Sequence, residues 1–302
     1  MICLVVGIIL NAQLNFRIRN HTFLQETTFF TIFAQIKEKQ SIHNIMTIIE
    51  SFIKGKHNAA QCEDGIVTTD NFTAVIDGST SKTPFHLSPS MKNGRYAMTI
   101  ISDYIRALSP DATCQYFCTG ITRRIADEYK RANLADRMAE HPEERLCASA
   151  VVYSNTRHEV WMIGDCQAIV DGTFHDNAKP YEQHIARQRA DLILSGMSPA
   201  DARHAIEPQL IRAMLEGQNR HYAVIDGTQV YMPGVKIINV EHSVVLASDG
   251  YPTLYPTLAE SETALARQIE RDPQNIRDFI ATKGIVSGNC SFDDRAYIRI
   301  EV

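Results

Sequence analysis

A chain of 302 residues, 44% hydrophobic and 22% charged, has ample material for a core and reads as a soluble globular protein of one large domain or two ordinary ones. Its net charge of -5, with no Lys/Arg run longer than Arg123-Arg124, excludes the basic footprint of a nucleic-acid binder. Seven cysteines without a CxxC pair exclude the usual structural zinc spacing and suit reduced thiols in a cytoplasmic protein; Cys114 and Cys118 read as small apolar residues on a buried helix face.

The chain opens on MICLVVGIIL, ten apolar residues where a membrane span needs about 20. Arg17 and Arg19 follow this run, whereas a secretory signal carries its positive charges in front. Neither a membrane anchor nor secretion is expected, and residues 1–45 read as an appendage to a domain spanning 46–302. Short β-rich runs at 66–69 and 72–76 flank Asp70-Asn71, a turn pair that suits a hairpin. Ala97, Ile100, Ile101, Tyr104, Ile105 and Leu108 then recur at helical spacing, as do Phe117, Ile121, Ile125 and Tyr129.

Strands return at 147–154, 158–164 and 167–170, joined by connections short enough for an antiparallel meander. A helical section from Tyr181 to about Leu215 breaks at Gly196, with Ser198 placed to cap and Pro199 at the first helical position. Further strands are expected at 221–225, 229–231, 235–240 and 243–247. Thr257 with Glu260 makes a capping box for a helix through Arg271; Asp272-Pro273 predicts the start of another, and AYIRIEV (296–302) a closing strand. Blocks of helices between blocks of hairpin-linked strands predict an α+β fold of antiparallel sheets covered by helices.

One pentapeptide, AVIDG, occurs twice, ending in Asp77-Gly78 and in Asp226-Gly227. After the second copy the chain continues Thr228-Gln229-Val230-Tyr231 in apolar alternation, so Asp226-Gly227 reads as a two-residue hairpin turn, as does Asp171-Gly172. The first copy belongs to a series. Glu63-Asp64 precedes a strand, Asp77 ends one, Asp165 follows HEVWMIG, Asp249 follows VVLAS, and Asp293-Asp294 leads into the last strand.

In that order CEDG (62–65), AVIDGS (74–79), WMIGDCQAIV (161–170), VVLASDGY (244–251) and FDDRAYIRI (292–300) resemble the metal-dependent protein phosphatases of the protein phosphatase 2C family, over about residues 57–302. The resemblance implies two antiparallel β-sheets packed as a sandwich with helices on the outer faces, and a site for two Mn²⁺ or Mg²⁺ ions at one end of it. Carried over residue by residue, Asp77 bridges both ions, Glu63 and the Gly78 carbonyl complete one site, and Asp249 and Asp293 complete the other. Asp165 matches a loosely held third ion, and Asp64 a hydrogen bond to metal-bound water. Whether Asp293 or Asp294 is the ligand turns on one residue of register, and Asp293 is favoured. Hard cations prefer such oxygen donors, and four carboxylates balance two divalent ions.

The implied activity is direct hydrolysis of phosphomonoesters by a metal-activated water, foremost phosphoserine and phosphothreonine on proteins. Two family features are missing: Ala59 stands where many members carry a phosphate-gripping arginine, and Ser79 where eukaryotic members carry a histidine after Asp-Gly. Lys54, Lys56 and His57 are candidates for the first role, His57 and His86 for the second, and Lys82 and Arg95 face either phosphate or solvent. A weakly active binding module, or a phosphatase of a small metabolite gated by the loop 79–95, are the competing readings.

Overall fold

The computed structural model describes residues 46–302. The N-terminal appendage expected from the sequence lies outside the described residues. Ten strands form two five-stranded antiparallel sheets. The first runs β1 (Thr47–Lys54), β10 (Arg295–Glu301), β9 (Ser243–Ala247), β6 (Gln167–Val170) and β7 (Thr173–His175); the second runs β2 (Asp64–Thr68), β3 (Phe72–Gly78), β4 (Ala148–Ser154), β5 (Glu159–Ile163) and β8 (Lys236–Asn239).

Side chains alternate along a strand, and here both faces of the inner strands are buried. In β3, Ala74 and Ile76 point one way and Val75 the other; Trp161 and Ile163 are similarly divided from Val160 and Met162 in β5. Val75, Val151, Val160 and Met162 meet Val244, Leu246, Ile298 and Ile300 of the other sheet, which makes the interior of a sandwich. Two-sided burial is why AVVYS and VWMI read as continuous apolar runs.

Two long helices, α1 (Asn93–Arg106) and α2 (Cys114–Arg131), cover the second sheet through Ile101, Phe117, Ile121 and Ile125, with Cys114 and Cys118 buried among them. A short α3 (Ala135–Glu140) adds Met138 to this layer. The first sheet is covered through Tyr251, Leu254 and Leu265, the last on α6 (Leu258–Arg271). Helices α4 (Glu182–Leu194) and α5 (Pro199–Gly217) pack on each other around Ile185, Ile206 and Leu210. The predicted α+β sandwich is therefore the observed architecture.

Local chemistry explains most boundaries. The Ser198 hydroxyl accepts from the Asp201 N–H at the start of α5, and Thr257 accepts from Glu260 at the start of α6. Asp171 and Gly172, both at positive φ, are the two-residue turn between β6 and β7.

Two expectations are overturned. No helix starts at Asp272-Pro273, because the Asp272 carboxylate takes the N–H groups of Ile276, Arg277 and Asp278 and holds an irregular turn. Residues 221–231 form no hairpin: Ile225 instead makes an isolated bridge to Ala148 at the end of β4. The sequence reading also lacked β1, whose outer residues Ile48, Ile49 and Ile53 are exposed and give no alternating pattern, and the three-residue β7.

Candidate active site

The acidic segments converge at one end of the sandwich. Asp64 and Asp77 face each other as register partners in β2 and β3. Glycine permits two close approaches that draw the remaining segments in. A Cβ on Gly78 would collide with the Gly94 backbone at the start of α1, and one on Gly250 with the Asp294 carbonyl, so the turn after Asp249 sits directly on the segment entering β10.

Asp294 is committed to the backbone: its Oδ1 accepts from the Lys56 N–H at 2.7 Å and its Oδ2 from the Glu63 N–H at 3.0 Å. This clasp ties the approach to β2 onto the approach to β10. Asp293, next to it, lines a cavity of about 690 Å³ together with Asp77, Gly78, Asp165 and Asp249. The geometry thus separates the two neighbours that the sequence left one register apart.

Glu63 is buried behind the cavity wall. Its Oε2 accepts from the Thr80 hydroxyl at 2.6 Å and lies 3.9 Å from Lys56 Nζ, while Oε1 has no hydrogen-bond partner. Asp64 is buried too, lines a second cavity beside Cys62, Ile66 and Met98, and leaves Oδ2 without a partner.

Crowding of like charge has electrostatic consequences. Burial first, then the charges of Asp294 and Asp249, push the Asp64 carboxyl up to about 7. Burial and the charges of Asp249, Asp64 and Asp165 push Asp77 well above the usual carboxylate range. Asp165 goes the other way: burial opposes its charge, but Lys179 and the Ser149 hydroxyl, 2.5 Å away, hold it below.

Lysines supply the nearest positive charge. Lys56 reaches Asp293 at 3.0 Å and Asp294 at 3.5 Å, and Lys283 bonds Asp293. With these ammonium groups among the carboxylates, no three His, Cys, Asp or Glu side chains among the described residues surround a common ion-sized point. The donor set nevertheless fits hard divalent cations: it is all oxygen, Glu63 Oε1 is buried without a partner, and the carboxyl of Asp77 is destabilised by its acidic neighbours.

Of the candidates for gripping phosphate or donating a proton, Lys56 and Lys82 line the cavity, whereas Arg95 bonds the Ala59 and Cys62 carbonyls. His57 is exposed against Asn289, and His86 is exposed. Sequence reasoning missed Lys179, Arg203 and Lys283, which also line the cavity. They lie on α5 or in irregular segments, where no periodicity marks them. Asp226 is elsewhere: it is buried and accepts from Asn219, Thr228 and Gln218, with Arg145 3.5 Å away.

No protein-family model matches the sequence, and no curated protein matches it. Similar solved structures include the serine/threonine phosphatase PstP/Ppp of Mycobacterium tuberculosis (12% identity, 85% of this chain and 99% of that one, TM-score 0.40). Others are PppA, a regulatory component of T6SS in Pseudomonas aeruginosa (11%, 85% and 98%, TM-score 0.43), and the serine/threonine phosphatase Stp1 of Staphylococcus aureus (14%, 85% and 95%, TM-score 0.40). The fold stands on the strand order and register described above.

Proposed function

We propose that the chain is a metal-dependent phosphomonoesterase. The observation that supports this best is the meeting, at one end of the sandwich, of carboxylates from five distant segments whose charge the protein balances only in part. In this reading Glu63, Asp77, the Gly78 carbonyl, Asp249 and Asp293 hold two Mn²⁺ or Mg²⁺ ions, and Asp165 a third, weaker one. Bound ions of this kind lower the pKa of a shared water and neutralise charge on a phosphoryl group.

The chain's own residues do the rest. Asp294 holds the ligand-bearing loops in register through the backbone of Lys56 and Glu63. Asp64, with its carboxyl near neutrality, orients a water from behind the ligand shell. Lys56 takes the place of the arginine replaced by Ala59 and meets the substrate phosphate as a single ammonium, without a bidentate fork. No described helix is long and apolar enough to cross a membrane; the cytoplasmic location in this reading rests on cysteines that lack any paired spacing and suit reduced thiols.

Phosphoserine and phosphothreonine on proteins are the substrates that the resemblance implies; the cavity favours a small phosphoester instead. Ala59 and Ser79 favour a second reading, a weakly active binding module. Hydrolysis of p-nitrophenyl phosphate decides: turnover that requires Mn²⁺ or Mg²⁺ and disappears in EDTA is expected. Undiminished turnover in EDTA would reject the metal mechanism, and tight Mn²⁺ binding without turnover would favour the module.

A further inference from the structure

The same cavity holds a group of cations that the hydrolytic step does not use. Lys82 follows β3 by four residues, and its amine lies within the electrostatic reach of Arg203 on α5, Lys283 and Lys179. Lys179 and Lys283 are each bonded to a carboxylate of the acidic cluster. Lys82 and Arg203 are different. Lys82 Nζ donates to the Thr80 carbonyl at 2.9 Å and Arg203 Nη1 to the Thr282 carbonyl at 2.8 Å, and among the described residues neither has a carboxylate at ion-pair distance.

Glu182, which lines the same cavity, and Glu207 act on Arg203 only from beyond ion-pair distance. Like charges gathered without a paired counter-charge oppose folding, and burial and the neighbouring cations push the Lys82 amine down to about 8. Each side chain also keeps unused donors, two on the ammonium and the outer edge of the guanidinium. Tyr181, Leu210, Met214 and Tyr222 line the same space. At about 690 Å³ it is sized for a small molecule. A phosphorylated side chain on an extended peptide brings one dianion, which the acidic cluster with its ions and Lys56 would accommodate. It gives Lys82 and Arg203 no partner.

We propose that Lys82 and Arg203 form a subsite for a second anionic group, so that the substrate is a small molecule bearing a phosphomonoester at one end and a phosphate or carboxylate at the other. The inference rests on the phosphomonoesterase reading for the first phosphate, while the subsite itself is testable by binding alone.

The test is calorimetric titration of the whole protein in Mn²⁺ with three non-hydrolysable probes: propylphosphonate, 1,3-propanebisphosphonate and 3-phosphonopropanoate. At least one bis-anion should bind about tenfold or more tightly than propylphosphonate, the scale of a charge-assisted contact, and which of them does so distinguishes phosphate from carboxylate. Lys82→Ala and Arg203→Ala should each remove that preference and leave propylphosphonate affinity unchanged. Lys82→Arg should keep it, which guards against a variant that misfolds.

Equal affinity of wild-type protein for all three probes, a preference that survives both alanine variants, or a phosphoserine peptide bound more tightly than every small probe would overturn the proposal. The two readings fail separately. Loss of the preference in the variants of a protein that never turns over an aryl phosphate would keep the subsite and reject hydrolysis. Metal-dependent turnover without any bis-anion preference would do the reverse.

Discussion

The two copies of AVIDG end on opposite sides of one residue. Gly78 pairs with Ala148 across β3 and β4, and Ile225 bridges Ala148 from the other side. The pentapeptides are identical and their aspartates have opposite surroundings. Asp226 has both carboxylate oxygens occupied, by the backbone and hydroxyl of Thr228, by Asn219 and Gln218, and by Arg145. Asp77 has other carboxylates for neighbours. A saturated carboxylate stabilises a fold; one surrounded by like charge destabilises it until cations arrive. The chemistry of an Asp-Gly is thus decided by what the fold places around it, not by the motif.

Exchanging one oxygen for an amide at each copy should give crossed results. Asp77→Asn is expected to lower the turnover of p-nitrophenyl phosphate by about 10³-fold or more, the scale for removing a group that acts in the transition state, without lowering the melting temperature. Asp226→Asn is expected to leave turnover per folded molecule unchanged and cost about 1–3 kcal/mol in urea unfolding, since the new NH₂ meets donors on every side. If Asp226→Asn stopped turnover as completely as Asp77→Asn, the two roles would be misassigned.

The glycines should divide in the same way. Gly78→Ala drives a Cβ into the Gly94 backbone beside Glu63, which cannot yield without moving the site, so turnover falls along with stability. Gly227 sits at φ +85 and its Cβ would meet the side chains of Tyr129 and Ile125, so Gly227→Ala is expected to cost about 1–2 kcal/mol in thermal unfolding and nothing in turnover.

The series of acidic motifs was legible because strands end where their carboxylates are needed, and each ending is marked by glycine or by a paired acid. Ser198, Thr257 and Gly196 fixed helix boundaries through short-range chemistry that a sequence displays directly. What was not legible depends on distant partners. Asp272-Pro273 has the look of a helix start, yet the carboxylate folds its own following N–H groups into a turn that Arg189, buried on α4, ties down through the Gln274 and Ala281 carbonyls. Nothing near residue 272 announces an arginine at 189. Arg203 was hidden for the same reason: Lys82 stood among the candidates, but nothing near it in the sequence announces that a residue on α5 lines the same cavity.

The contrast between a repelled and a satisfied carboxylate also has a pH signature. The carboxyls of Asp64 and Asp77 are raised in the folded state, so the unfolded chain binds fewer protons than the native one above the ordinary carboxylate value. The Asp64 contribution to stability is fully present below about pH 4 and is lost as the pH rises towards about 7, and the Asp77 contribution is lost in the same direction. In EDTA the wild-type melting temperature should therefore fall relative to that of Asp77→Asn as the pH rises across this interval, and saturating Mn²⁺ should reverse the loss at the upper end. Parallel pH profiles of the metal-free wild type and Asp77→Asn would show that the carboxylates are already compensated by Lys56 and Lys283.

The smallest difference lies at the residue after each Asp-Gly. Thr228 donates its hydroxyl to Asp226 at 2.6 Å and accepts from Asn219 at 3.1 Å, so it closes the network around a buried charge. Ser79 lines the cavity and is anchored through its backbone N–H, bonded to the Cys147 carbonyl at 2.9 Å. Thr228→Val keeps the shape and deletes both bonds, which should cost about 1 kcal/mol in urea unfolding with turnover intact. Ser79→Ala removes a hydroxyl that holds nothing in the fold, and the unfolding midpoint should not move. Equal losses of stability at the two positions would mean that the cavity rim carries structural load of its own, and the division between a stabilising and a functional copy of the motif would then stop at the aspartate.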